Sequence, residues 1–158
     1  MSAPPSVWVF FYGSYMNRGV LAEVGLAPAR SEVARLDGYA IRIAPRANLI
    51  RSEAESAWGV LATATHAELD RLYAHARDVL GELYLPEAVL ARAASGDYRP
   101  ALCYLCPAMR ARPAEAAYVE RIVAPARALG FPAEYVERLA SFRPGAARRA
   151  RAGRTRRP

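Results

Sequence analysis

Residues 7–12 form an unbroken apolar run, Val7, Trp8, Val9, Phe10, Phe11 and Tyr12, that leads directly into Gly13-Ser14. A short run rich in β-branched and aromatic residues predicts a strand buried on both faces and closed by a tight turn. Asn17 then caps a short helix through about Val24, and residues 28–31 form a loop. Residues 33–43 predict a second strand, irregular at Gly38 because Val33, Leu36, Tyr39, Ile41 and Ile43 do not alternate strictly. Residues 45–56 are polar and turn-like, with Arg46 and Asn48 as donors open to solvent or to a ligand, before a strand over 57–64.

Thr65-His66-Ala67-Glu68 is a capping box, and Leu69, Leu72 and Tyr73 give the helix behind it one apolar face. Residues 77–82 read as a loop that carries Asp78 and Glu82, followed by a strand over 84–90 whose Pro86 favours an edge or a bulge. Ser95-Gly96-Asp97 is a hairpin turn into a strand over 101–106, so these two strands pair antiparallel. From Pro113 the pattern is helical, with Tyr118, Ile122 and Ala126 in line and Pro125 expected to kink or divide the helix. Gly130 and Pro132 end it, and residues 134–142 form a last amphipathic helix with Val136, Leu139 and Ala140 inward. The expected class is α+β, a mainly antiparallel sheet crossed by carboxy-terminal helices. Its parts are a flexible stretch 1–6, one domain over 7–142 and a disordered Arg-rich tail over 143–158.

Composition changes this picture little. The 158 residues and 53% hydrophobic content suit one domain with a real core. The net charge of +7 suggests nucleic acid until it is mapped: Arg148, Arg149, Arg151, Arg154, Arg156 and Arg157 supply six charges, leaving +1 for residues 1–147. Basicity is therefore a property of the tail, which is a candidate for phosphate or other polyanion contact, and not of the domain. All 22 basic residues are arginine in an alanine-rich chain, a bias attributed to a GC-rich genome, so a single Arg carries little weight. The apolar run at residues 7–12 is too short for a signal peptide or membrane span, which points to a soluble cytoplasmic protein.

Cys103 and Cys106 have Cys-x-x-Cys spacing, but they lie on an expected strand and not at a helix start, so buried free thiols are expected in place of a redox pair. With only His66 and His75 as histidines, no metal cluster and no cofactor is expected. The chemistry is expected at the Gly13-Ser14 turn, where a glycine allows positive φ and successive N–H groups can form a small anion-holding nest.

Phe10-Phe11-Tyr12-Gly13-Ser14-Tyr15-Met16-Asn17, then Trp58-Gly59-Val60-Leu61, then Glu68-Leu69-Asp70-Arg71-Leu72, then Tyr118 to Ile122, and finally Gly130-Phe131-Pro132-Ala133-Glu134-Tyr135 occur in that order. The set resembles the γ-glutamylcyclotransferase-like (AIG2-like) family over about residues 7–142. The resemblance implies a small mixed, mainly antiparallel barrel-like sheet with surrounding helices and a cavity walled by the turn. It also implies that Tyr12, Gly13, Ser14, Tyr15 and Met16 hold the α-carboxylate side of a γ-glutamyl group through backbone N–H donors, with Tyr15 where the family often has Asn. The implied reaction, part of glutathione-related metabolism, closes the γ-glutamyl amine onto its own γ-carbonyl, giving 5-oxoproline and a free amine or amino acid.

That reaction needs a carboxylate to take the ammonium proton and return one to the leaving amine. The resemblance places this Glu, followed by Gly, at the positions occupied here by Ala76 and Arg77. Glu82 is the first candidate for a relocated acid, Asp78 the second and Glu87 the third. The alternative is a catalytically inactive or diverged member that binds a small carboxylate or γ-glutamyl-like ligand.

Overall fold

In a computed structural model describing residues 2–146, five strands close into a barrel in the order β1-β3-β2-β4-β5. These are β1 (Ser6–Phe11), β2 (Ser31–Ile43), β3 (Ala47–Thr65), β4 (Leu85–Ala93) and β5 (Tyr98–Leu105). All neighbours are antiparallel except β1 and β5, which run parallel and pair only through Val9 and Leu102. The expected α+β class and barrel-like sheet are present. Arginines 148–157 of the expected tail lie outside the described residues.

A closure that thin needs reinforcement, and two tyrosines supply it. The Tyr12 N–H donates to the Tyr104 hydroxyl at 2.7 Å, that hydroxyl donates to the Tyr12 carbonyl at 2.6 Å, and the Tyr12 hydroxyl donates to the Tyr104 carbonyl at 2.5 Å. Their rings stack at 4.6 Å. Both phenols are fully buried, and burial pushes their pKa values well up, so they stay neutral and satisfied.

The expected turn over 45–56 is instead mostly strand. β3 starts at Ala47, and residues 47–51 pair with β2 from Ile43↔Ala47 back to Tyr39↔Arg51; pairing resumes at Asp37↔Ser56 after a register shift beside Gly38 that leaves residues 52–55 without a β2 partner. Polar residues suit this arm because it is exposed along one side, and pairing overrides their low strand propensity. Glu55 pins the arm to the last helix, bridging Arg138 and, at 3.8 Å, Arg42.

The helices are α1 (Arg18–Glu23), α2 (His66–His75), α3 (Ala116–Ala128) and α4 (Ala133–Ala140). Asn17 caps α1 as expected, its side chain accepting from the Gly19 N–H at 2.9 Å. Pro125 neither ends nor divides α3. A proline at 125 removes the bond to the Arg121 carbonyl, and the Asn17 side-chain amide donates to that carbonyl at 3.3 Å instead. The segment after α3 docks on the barrel through Phe131, whose ring lies 5.9 Å from Trp58 and 6.0 Å from Tyr135.

The capping box at α2 is complete: Glu68 N–H donates to Thr65 Oγ1 at 3.2 Å and Thr65 N–H to Glu68 Oε2 at 2.7 Å. Thr65→Ala is expected to cost about 1 kcal/mol, read as a lower urea midpoint at unchanged slope. An unchanged midpoint would mean that Glu68 alone holds the helix start.

Candidate functional site

The turn Gly13–Met16 is a buried 3-10 turn laid against the first residue of β3. Gly13 has φ +65°, and a Cβ there would sit 2.4 Å from the Ala47 Cβ, so glycine is required by conformation and by contact. The Ala47 peptide is held from both sides. Its N–H donates to the Tyr118 hydroxyl at 3.0 Å, and its carbonyl accepts from the Tyr84 hydroxyl at 2.5 Å. The Ser14 hydroxyl lies beside Tyr118. Burial raises the pKa of both phenols, and for Tyr84 the nearby charges of Tyr118, Cys106, Tyr15 and Glu82 act the same way.

The first N–H groups of a helical turn have no partner within it. Among the described residues no acceptor faces those of Gly13 and Ser14, whereas the Tyr12 N–H is spent on Tyr104. Of the five turn residues expected to hold substrate, Gly13 and Ser14 are thus the two with uncommitted backbone donors. Tyr12 is a barrel clasp. Tyr15 and Met16 line a separate small cavity of about 70 Å³ with Phe11, Leu21 and Val60, room for a few waters at most.

Tyr15, at the position where the resemblance expects Asn, sets a large ring against the end of α2. Its hydroxyl lies 3.0 Å from His75 Nδ1 and 3.4 Å from the Leu72 carbonyl, and its ring meets Tyr104 edge-on at 5.5 Å. Ala76 follows His75 and is fully buried. A large ring in the turn therefore faces the end of α2, where a small residue stands in place of the expected Glu.

Burial holds the His75 pKa below its ordinary 6.5, with Glu23 pulling it up and Arg121 pushing it down. The folded state disfavours imidazolium, so the unfolded chain takes up that proton first. The stabilisation from the neutral ring is complete above about pH 6.5 and is lost as pH falls through the lower folded value. His75→Gln is expected to flatten the change in urea midpoint between about pH 7 and pH 5. A wild-type midpoint already flat over that range would refute it.

The expected loop over 77–82 is partly helical: one π-helical turn, Ala76–Leu80, extends α2 and ends on Gly81 at φ +77°. The N–H groups of Gly81 and Glu82 both return to the Ala76 carbonyl, the latter at 3.1 Å. This left-handed reversal, which glycine adopts without penalty, turns Glu82 inward. The Glu82 side chain is only 11% exposed, with Oε1 3.8 Å from Arg112 and Oε2 3.7 Å from the Cys106 thiol.

The other two candidate acids are placed differently. Asp78 lies on the exposed side of the π turn, where the Arg77 side chain bonds it at 2.9 Å and lowers its pKa. Glu87 accepts from the Tyr39 hydroxyl at 2.8 Å and lies 3.4 Å from Arg51, on the flank facing the β2–β3 arm. Burial, then the Glu87 bond, push Tyr39 up to about 12.

Both cysteines are free and buried, as expected. Burial raises both thiol pKa values, and the Glu82 charge adds to this at Cys106, so neither is an activated nucleophile. No metal-binding group of His, Cys, Asp and Glu occurs among the described residues, and no helix there is long and apolar enough to cross a membrane. Asn48 is a clamp and not a ligand donor: its amide bonds the Cys106 carbonyl at 2.8 Å and accepts from the Cys106 N–H at 2.9 Å. Arg46 lies over the Tyr118 ring at 4.7 Å and gives its Nε–H to the Leu80 carbonyl at 3.1 Å. It opens on a cleft of about 340 Å³ with Pro45, Leu80, Arg112, Pro113 and Glu115, within the range of small-molecule sites. Sequence reasoning missed Tyr84 and Tyr118 as the groups that hold the Ala47 peptide, and Arg112 as a wall of this cleft. Tyr118 was visible only as part of a helical apolar stripe.

This barrel, with its amino-terminal strand ending in the Tyr-Gly-Ser turn and its acid-bearing segment after the second helix, is the γ-glutamylcyclotransferase-like fold. Among solved structures, a γ-glutamyl cyclotransferase superposes with a TM-score of 0.68 at 22% identity, over 85% of this chain and 86% of that one. An uncharacterized human protein gives 0.71 at 21% identity over the same shares. A yeast γ-glutamyl cyclotransferase specific to glutathione gives 0.60 at 15% identity, over 87% of this chain and 95% of that one. No protein-family model and no curated protein sequence matches the chain.

Proposed function

We propose that this protein cyclises a γ-glutamyl compound to 5-oxoproline and releases its amine, with Glu82 as general acid/base. The observation that carries this reading is the inward, nearly buried Glu82 carboxylate, placed by the Gly81 reversal on a fold shared with γ-glutamyl cyclotransferases. The Arg112 guanidinium, at 3.8 Å, gives it no tight bidentate partner.

In this reading the Gly13 and Ser14 N–H groups hold the substrate α-carboxylate. Glu82 removes a proton from the α-ammonium, and the freed amine attacks the γ-carbonyl carbon. A five-membered ring closes through a tetrahedral intermediate. The bond to the leaving nitrogen breaks as Glu82 returns the proton there, so acid and base are one residue used twice. Holding both ends of one flexible substrate in a near-attack conformation supplies much of the rate.

The test is 5-oxoproline release over a panel of γ-glutamyl amino acids, γ-glutamyl amines and glutathione. Release from at least one is expected, and none from any would refute the reading. One observation favours a second reading, a protein that binds such a ligand without converting it: Tyr15 and Ala76 together close off the position of the usual acid. Saturable binding of a panel member with no turnover would select it.

A further inference from the structure

Arg46 is half-buried and lines the 340 Å³ cleft, yet no carboxylate of the described residues lies within 4 Å of it. Arg18, Arg30 and Arg92 also line grooves without a carboxylate within 4 Å among the described residues, but all three are exposed; the contrast is with the others. Arg35, in a groove beside the first β2–β4 pairs, is neutralised by Asp37 at 2.7 Å, and Arg112 stands 3.8 Å from Glu82. Arg46 is also oriented before any ligand arrives, by its Nε–H bond to the Leu80 carbonyl and by its stacking over Tyr118. Those contacts use Nε and one face of the plane. The terminal nitrogens have no protein acceptor among the described residues, and they are the pair whose fork matches a carboxylate.

Glu115 and Arg112 are the other charges on the cleft wall: Arg112 is 68% exposed and stands by Glu82, and Glu115 is exposed at the start of α3. A half-buried, preoriented cation without a counter-ion outweighs a solvated carboxylate in attracting an anion. We propose that Arg46 is a specificity-determining residue that binds a carboxylate on the leaving side of the substrate, favouring γ-glutamyl amino acids and peptides over γ-glutamyl amines that lack an acidic group. The assignment of that carboxylate to the leaving side rests on the reading above, in which Gly13 and Ser14 hold the γ-glutamyl end.

The experiment compares γ-glutamylalanine with γ-glutamylethylamide, which differ only by that carboxylate, on wild type, Arg46→Lys and Arg46→Gln. Both kcat/KM for 5-oxoproline release and calorimetric Kd are measured. Wild type is expected to favour γ-glutamylalanine by about 10–100-fold, the worth of a charge-assisted hydrogen-bond pair, expressed in KM and Kd more than in kcat. Arg46→Gln should bring the two substrates within about 3-fold, and Arg46→Lys, which keeps the charge without the fork, should lie between.

Equal wild-type preference for the two compounds overturns the proposal without needing a variant. So does an Arg46→Gln defect of equal size on both, which would place Arg46 at the shared γ-glutamyl end. If neither compound is turned over, the ratio of the two dissociation constants still decides the role of Arg46, while the cyclisation reading stands or falls separately on the full panel.

Discussion

Glu82→Gln is expected to lower 5-oxoproline release by about 10²–10⁴-fold, the usual contribution of a positioned general acid/base. Glutamine keeps the shape and can neither take the ammonium proton nor return it. Folding should be nearly untouched. The carboxylate gives up only a weak thiol contact at 3.7 Å and a 3.8 Å approach to an Arg112 that is 68% exposed, and with that partner screened by solvent the pair is worth about 1 kcal/mol at most. The loss should therefore appear in kcat with the urea midpoint preserved.

Two control substitutions sharpen the result. Asp78→Asn should leave turnover intact, because its side chain is committed to Arg77 in solvent. Glu87→Gln should act on stability through the Tyr39 bond and not on chemistry. A Glu82→Gln protein with full turnover would remove the acid from this position, whatever the activity of wild type.

Gly59→Ala is expected to destabilise the fold by about 3 kcal/mol or more, beyond the usual range for a single added methyl in a core. A Cβ at Gly59 would lie 2.4 Å from the Phe11 carbonyl oxygen and 2.6 and 2.9 Å from two ring carbons of Phe10. Relief is not available from either. Phe11 is tied into the ladder with Val60, and Phe10 is completely buried opposite Leu61. The β1–β3 pair must spread at the point where β1 feeds the Gly13–Ser14 turn, so the damage reaches the site. Urea denaturation and soluble yield measure this, and a midpoint within about 0.5 kcal/mol of wild type would show that the barrel absorbs the methyl.

What could be read from sequence was what depends on near neighbours. The Asn17 cap, the Thr65–Glu68 capping box, the Gly38 irregularity and the Ser95–Asp97 hairpin each involve residues a few positions apart, and all are present. The same holds for Gly13: a strand that runs into Gly-Ser announces positive φ before any partner is known. The motif order from residue 10 to residue 135 sufficed for the barrel fold because the apolar spacing within each piece is itself a local pattern.

The failures came where a distant residue changes what a local signal means. Residues 47–51 and 56 became strand because β2 offers them ladder partners on either side of the Gly38 irregularity. Pro125 did not divide α3, and Asn17, 108 positions earlier, takes up the carbonyl it orphans. The loop after α2 became a π turn because the chain must reverse at Gly81 onto the Ala76 carbonyl.

The candidate site divides in the same way. Sequence determined that Gly13 and Ser14 end a buried strand and that Glu82, Asp78 and Glu87 are the carboxylates nearby, and the family resemblance alone placed an acid where Ala76 stands. Only the tertiary structure separated those three, by turning one inward and pairing the others elsewhere. It likewise made Tyr12 a clasp for the barrel and left Arg46 without a counter-ion at a cleft. A residue type specifies what chemistry is available, but burial and partners arise from chain segments that meet only on folding, and these decide where that chemistry can be used.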